Sequence, residues 1–219
     1  MSKIVLIAVA MFWTVAVSQV SLGNENAGDA ASKNETLLNA MSPYEDMAEA
    51  ALDKNTKGVK EAINAASSET AEVVKALPKE SVKGFEQRLS AIKDAAKAND
   101  HYSVAVNAVE MFRLLIDSLD EAKLEVPKEV SLLDYAGFRL KVLSAASEPD
   151  WEKMKQTAID AGKWWKTIEE KVDDASLVAT FNSTIAGLQQ AIEIKDLPYL
   201  RFAAQIDLDL VDLLESAFE

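Results

Sequence analysis

The side chains from which this 219-residue chain could build a reactive site are few in kind: one histidine, six methionines and 36 acids, with no cysteine at all. Missing thiols exclude disulfides, thiolate metal sites, covalently attached haem and cysteine nucleophiles. A single histidine cannot furnish a His-Glu-x-x-His zinc site, nor the paired Glu-x-x-His of a di-iron bundle. The sequence contains no Gly-x-Ser-x-Gly elbow, no phosphate-cradling Gly-rich loop and no dinucleotide fingerprint. Enzymatic chemistry is therefore not expected.

Three constellations are left. His101 opens a helical stretch and lies about 20° from Phe112 on the face holding Ala105, Ala108 and Leu115, so it points inward. A helical bundle can hold haem b between one His and one Met, and Met41, Met47, Met111 and Met154 are available, which makes His101 the candidate cofactor ligand. Asp207 falls within the apolar arc of the last helical stretch, among Ala203, Ile206, Leu210, Leu213 and Leu214. An acid there costs several kcal/mol unless it is paired, protonated or bound to a cation. Glu169 lies close to the line through Trp165 and Val172, and the two acids facing each other would share a proton or hold a divalent cation, making Asp207 and Glu169 the candidate metal ligands. The third candidate is Trp164. It lies about 100° from the apolar face shared by Trp151 and Trp165, and so either fills a seam between two halves of the chain or forms an exposed partner-binding patch. Gly137 and Ser144, on the face of Leu133 and Leu140, permit close helix approach or leave a groove.

Charge and the N-terminus set the compartment and the class of partner. Residues 1–18 have a basic start at Lys3, an apolar run Ile4–Val17 and small residues at Ala16 and Ser18, the pattern of a cleaved signal peptide. The expected location is the periplasm or the extracellular medium, with no stable membrane insertion after cleavage. The chain carries 23 Lys and Arg against 36 Asp and Glu, a net charge of −13, which repels phosphate backbones and disfavours nucleic acid. Cations, or a basic or helical protein partner, fit better. Asn34-Glu35-Thr36 and Asn182-Ser183-Thr184 match the glycosylation sequon.

The elements that must position these residues are helices. Gly and Pro total only twelve residues, and from Leu37 onward apolar residues recur at spacings of three and four with no sustained alternation. The polar stretch 19–42 is expected to be a flexible leader. Helices are expected at about 43–53, 56–76, 79–98, 101–122, 129–146, 150–172, 175–194 and 197–218, with only a dip in helix propensity, and no proline or cap, between the first two. Val82, Phe85, Leu89 and Ile92 match Val178, Phe181, Ile185 and Leu188 at an offset of 96. After a two-residue shift, Ala105, Phe112 and Leu115 match Ala203, Leu210 and Leu213. The fold class is thus all-α: up-and-down bundles of about eight helices in two duplicated four-helix units, 43–126 and 127–219. The function expected is that of an exported, non-enzymatic binding or accessory protein, taking up a cation through carboxylates. A protein-protein module without a small ligand is the alternative, and a haem-b electron-transfer bundle the third reading.

Overall fold

The structure, a computed structural model, describes residues 25–218, with side chains from Ala30 onward. Nine α-helices are found among these residues: α1 (Glu25–Asn39), α2 (Ser42–Leu52), α3 (Thr56–Ala76), α4 (Lys79–Lys97), α5 (His101–Asp117), α6 (Lys128–Ser144), α7 (Trp151–Ile168), α8 (Ala175–Glu193) and α9 (Leu197–Phe218). Short 3-10 turns at Glu121–Lys123 and Glu169–Lys171 follow α5 and α7, and no strand is present among the described residues. The predicted signal peptide lies outside the described residues.

One expectation is overturned at once. Residues 25–39, expected to be part of a flexible leader spanning 19–42, are helical, and Leu37, Ala40 and Met41 are buried. What holds α1 is a long-range clasp that no local periodicity encodes. Asn34 Nδ2 donates to the Asp120 carbonyl at 2.9 Å, and the Asp120 amide donates to Asn34 Oδ1, also at 2.9 Å. Both backbone groups of Asp120 are thereby satisfied by one buried amide.

Chain reversals are built by one repeated device. Lys54, Asn99 and Lys195 adopt φ of 55°, 55° and 54°. Each is followed by an Asx residue whose N–H returns to the preceding helix: Asn55 to Ala50 (2.8 Å), Asp100 to Ala95 (2.9 Å) and Asp196 to Ala191 (2.8 Å). The same Asx side chain accepts from the next helix, at Gly58 N, Ser103 N and Tyr199 N. The first of these corners separates α2 from α3, so residues 43–76 are two helices. Ser42-Pro43-Tyr44-Glu45 has the residue types of a capping box, yet α2 starts without a side-chain cap, leaving Glu45 free for another role.

Helices α2–α3–α4–α5 form one ring of neighbours and α6–α7–α8–α9 a second. Each ring encloses an apolar cluster, and α6 serves both. Its Leu132, Tyr135, Phe138 and Val142 join the first cluster; its Val130, Leu133, Ala136 and Leu140 join the second. Burying each such side chain stabilises by roughly 1.5–3 kcal/mol, so one helix ties the two rings into a single folded body.

Candidate functional site

The acid read from the sequence as displaced onto the core stripe is wholly buried. Asp207 has no solvent exposure and sits among Leu200, Ala203, Ala204, Leu208, Leu210, Val211 and Leu214, the buried face of α9. Neither carboxyl oxygen has a hydrogen-bond partner among the described residues. Burial alone pushes its pKa from the ordinary 3.8 up to about 8, so the group is protonated at neutral pH.

Gly137 makes the space. A Cβ at that position would stand 3.0 Å from Asp207 Oδ2 and 2.5 Å from Leu208 Cδ2. The absent side chain therefore lets α9 lie against α6. The small residues of α6 thus serve close approach, and Ser144 is likewise filled, since Arg201 of α9 donates to its hydroxyl and carbonyl.

Asp207 does not meet Glu169. In the second ring α7 and α9 are diagonal, and Asp207 turns toward α6. The helix expected over 150–172 ends at Ile168 and tightens into the 3-10 turn Glu169–Lys171, which advances about 120° per residue and takes Glu169 out of the α-helical phase. There its carboxylate is engaged 2.6 Å from Lys166 Nζ.

The acid beside Asp207 is Asp134, which the periodicity passed over, and Asp134 in turn feels the charge of Glu45. On α6, Asp134 has its pKa raised well above the carboxylate range by burial and by the charges of Glu45, Glu215, Asp207 and Asp212. On α2, Glu45 is pushed up to about 7 by burial and by Glu215, Asp46, Asp212 and Glu49. Asp134, Glu45 and Glu215 line a cleft of about 690 Å³, together with Glu35 of α1 and Glu125 and Lys123 of the loop before α6. The Asn34–Asp120 clasp fixes the wall that α1 and this loop provide. Among the described residues, no group of three or more His, Asp or Glu is arranged to hold a metal ion. What the cleft presents is a set of mutually repelling carboxyls, two of which, Asp134 and Glu45, are held above the ordinary carboxylate range.

The other sequence candidates are placed by ordinary packing. His101 is half-buried at the start of α5, its Nε2 3.3 Å from Thr56 Oγ1, joining the N-termini of α3 and α5. Met41, Met47, Met111 and Met154 are all core residues, Met154 in the other apolar cluster. Trp164 fills the seam between the rings. It lies tilted against Tyr135 with centroids 6.4 Å apart, and the Arg113 guanidinium stands 5.3 Å from its ring and 5.2 Å from that of Tyr135. Of the two sequons, Asn34 is buried in its clasp, whereas Asn182 is exposed, with its Oδ1 accepting from Trp165 Nε1 at 3.0 Å.

The chain matches no known family model, no curated protein and no solved structure. The residues themselves are the guide to function.

Proposed function

We propose that this protein is an exported, non-enzymatic binding protein whose acidic cleft takes up a positively charged group and gives up protons in exchange. The observation that carries the reading is the cleft lined by Glu45, Asp134 and Glu215, with the Asp207 carboxyl buried without a partner beside Asp134. A carboxyl so placed gives the fold nothing that leucine would not give better. When a cation enters the cleft, opposite charge lowers the pKa of the carboxyls that line it, and protons held by Glu45 and Asp134 leave. The cleft is wide for a bare metal ion, and ammonium or guanidinium groups, which donate to several carboxylates at once, suit it better. Export rests on the basic, apolar and small residues of 1–18. We also read the two rings as copies of one four-helix unit, a reading supported by the offset of 96, by their like neighbour order and by the matching corners at Asn99-Asp100 and Lys195-Asp196.

Calorimetry with spermidine and, separately, with CaCl2 tests this at neutral pH in two buffers of different ionisation enthalpy. Spermidine is expected to bind with buffer-dependent heat, the mark of proton release, and the double variant Glu45→Gln/Asp134→Asn to lose at least about tenfold in affinity. Absence of heat with both cations, or undiminished binding by the double variant, would overturn the proposal.

A further inference from the structure

Arginine is scarce in this chain and gathered where it occurs. Lysine supplies most of the 23 basic residues, and of only four arginines three meet at one place: Arg88 of α4, Arg113 of α5 and Arg139 of α6 stand round Tyr135 and Glu110. Arg113 is spent. Its Nε lies 2.9 Å from both oxygens of Asp117, and its guanidinium packs against the Tyr135 and Trp164 rings. Arg88 and Arg139 are not. Arg139 donates once, from Nη1 to the Tyr135 hydroxyl at 2.6 Å, and Arg88 donates no hydrogen bond among the described residues. The carboxylate they share is held loosely. Glu110 Oε2 is 3.9 Å from Arg88 Nη2, and Oε1 is 3.8 Å from Arg139 Nε and 3.4 Å from the Tyr135 hydroxyl. A guanidinium that binds a carboxylate closely stands about 2.7–2.9 Å from it, as Arg113 does from Asp117. The planar donor forks of Arg88 and Arg139 therefore go almost unused. Their side chains are 38% and 32% exposed, open to a ligand yet partly withdrawn from water.

We infer that Arg88, Arg139 and the Tyr135 hydroxyl form a site for an oxyanion, the carboxylate or phosphate group of a small ligand, whose place Glu110 keeps while no ligand is bound. Sign and geometry select that chemistry. Three guanidinium groups face the acids Glu110 and Asp117, a surplus of one positive charge on a molecule of net charge −13, while Asp160 near Arg113 is matched by Lys163 at 2.9 Å. The surplus repels cations, and a neutral group cannot use forks whose spacing matches two oxygens on one centre. Glu110 is itself an instance of the ligand. Burial, and then the charge of Glu110, push the Tyr135 pKa up to about 12, so its hydroxyl keeps the proton it donates. The charge of the rest of the molecule resists polyanions, which confines the ligand to one or two acidic groups. At about 100° per residue, Arg139 lies about 140° round α6 from Asp134, so this site faces away from the acidic cleft and stands whether or not the cleft takes up cations.

Because the chain has four arginines, the Nε–Hε region of its proton–nitrogen correlation spectrum holds four signals at most, and Arg201, bound to Ser144, serves as an internal control. Succinate and, separately, inorganic phosphate are titrated at neutral pH to about 20 mM, against NaCl of equal ionic strength. The Arg88 and Arg139 signals are expected to move saturably with at least one of the two anions while Arg201 stays still, and the more effective anion names the ligand's acidic group. Glu110→Gln is expected to tighten binding at least about tenfold, since it removes the competing charge, and Arg88→Gln to weaken it by a similar factor, both with unchanged helical circular dichroism. Were the cluster only a brace between helices, Glu110→Gln would lower the Tm and leave the titration flat. No saturable shift with either anion beyond the NaCl control overturns the inference, as does an affinity that Glu110→Gln leaves unchanged or weakens.

Discussion

Asp207 sets the pH dependence of the whole protein, and the sign follows from where its proton resides. Folded, the carboxyl keeps the proton up to about pH 8; unfolded, it releases it near the ordinary 3.8. Between those values the folded state binds a proton that the unfolded state does not, so stability falls as pH rises through the window, by up to about 1.4 kcal/mol per unit. Below the window the cost vanishes, and above it the cost is fully present. Glu45 and Asp134, also raised, add to the same trend. Urea unfolding should therefore find the wild type several kcal/mol more stable at pH 5 than at pH 8. Asp207→Leu should flatten most of that difference and raise stability at pH 8 by about 2–4 kcal/mol. Asp207→Asn should flatten it without the gain, because a buried amide is left unsatisfied. Equal pH dependence in all three proteins would refute this account. The inward position of Asp207 was legible in the sequence because an α-helix of 22 residues keeps its phase and the acid interrupts a long apolar arc. Asp134 and Glu45 were not legible. Each looks locally like a solvated or capping acid, and only the meeting of α2, α6 and α9 makes it a neighbour of the others.

Among the elements, α6 carries the most conflicting demands, since it must present an apolar side to each cluster and still admit α9 closely. Gly137 resolves this at a cost of about 1 kcal/mol in helix propensity relative to alanine. Gly137→Ala recovers that propensity but drives a methyl into Leu208, with Cδ2 at 2.5 Å and Cγ at 2.8 Å, and to within 3.0 Å of Asp207 Oδ2. Overpacking of this kind costs typically 1–3 kcal/mol, so a net destabilisation of about 1–2 kcal/mol is expected in chemical denaturation. A more stable Gly137→Ala protein would mean that α9 can move away freely. Helix positions were legible wherever an apolar stripe and an Asx cap coincide, as at Asp100 and Asp196. The failures were α1, the end of α7, and the end of α5, which stops at Asp117 and does not run on to 122. The first is held through Asn34 by Asp120, 86 residues away, and the second is cut short by a 3-10 turn that the acidic and basic residues Glu169–Lys171 do not announce.

At the scale of the whole molecule, the sequence suggests two units, and the structure gives two apolar clusters that cannot be separated along the chain. The first cluster draws Leu132, Tyr135, Phe138 and Val142 from α6 and Leu208 from α9, all beyond the boundary read at residue 126. The seam around them holds Arg113 between Tyr135 and Trp164, and Arg139 donates to the Tyr135 hydroxyl at 2.6 Å. A cut at 126 would leave α5 exposing the Phe112 face that Phe138 covers edge-on, with centroids 6.3 Å apart. Removing that ring probes the coupling. Phe138→Ala should cost about 3–4 kcal/mol, and because α6 belongs to both rings, the loss should fall on both together. The expected thermal transition stays single, with far-ultraviolet circular dichroism and tryptophan fluorescence moving together to a lower Tm. Three of the four tryptophans, at 151, 164 and 165, lie on α7, so fluorescence reports chiefly on the second ring, while circular dichroism reports on every helix. If the helical signal begins to fall before the fluorescence does, the first ring melts alone and α6 is a linker. Coincident curves make it the shared wall that fastens α9, and with it Asp207, to the cleft.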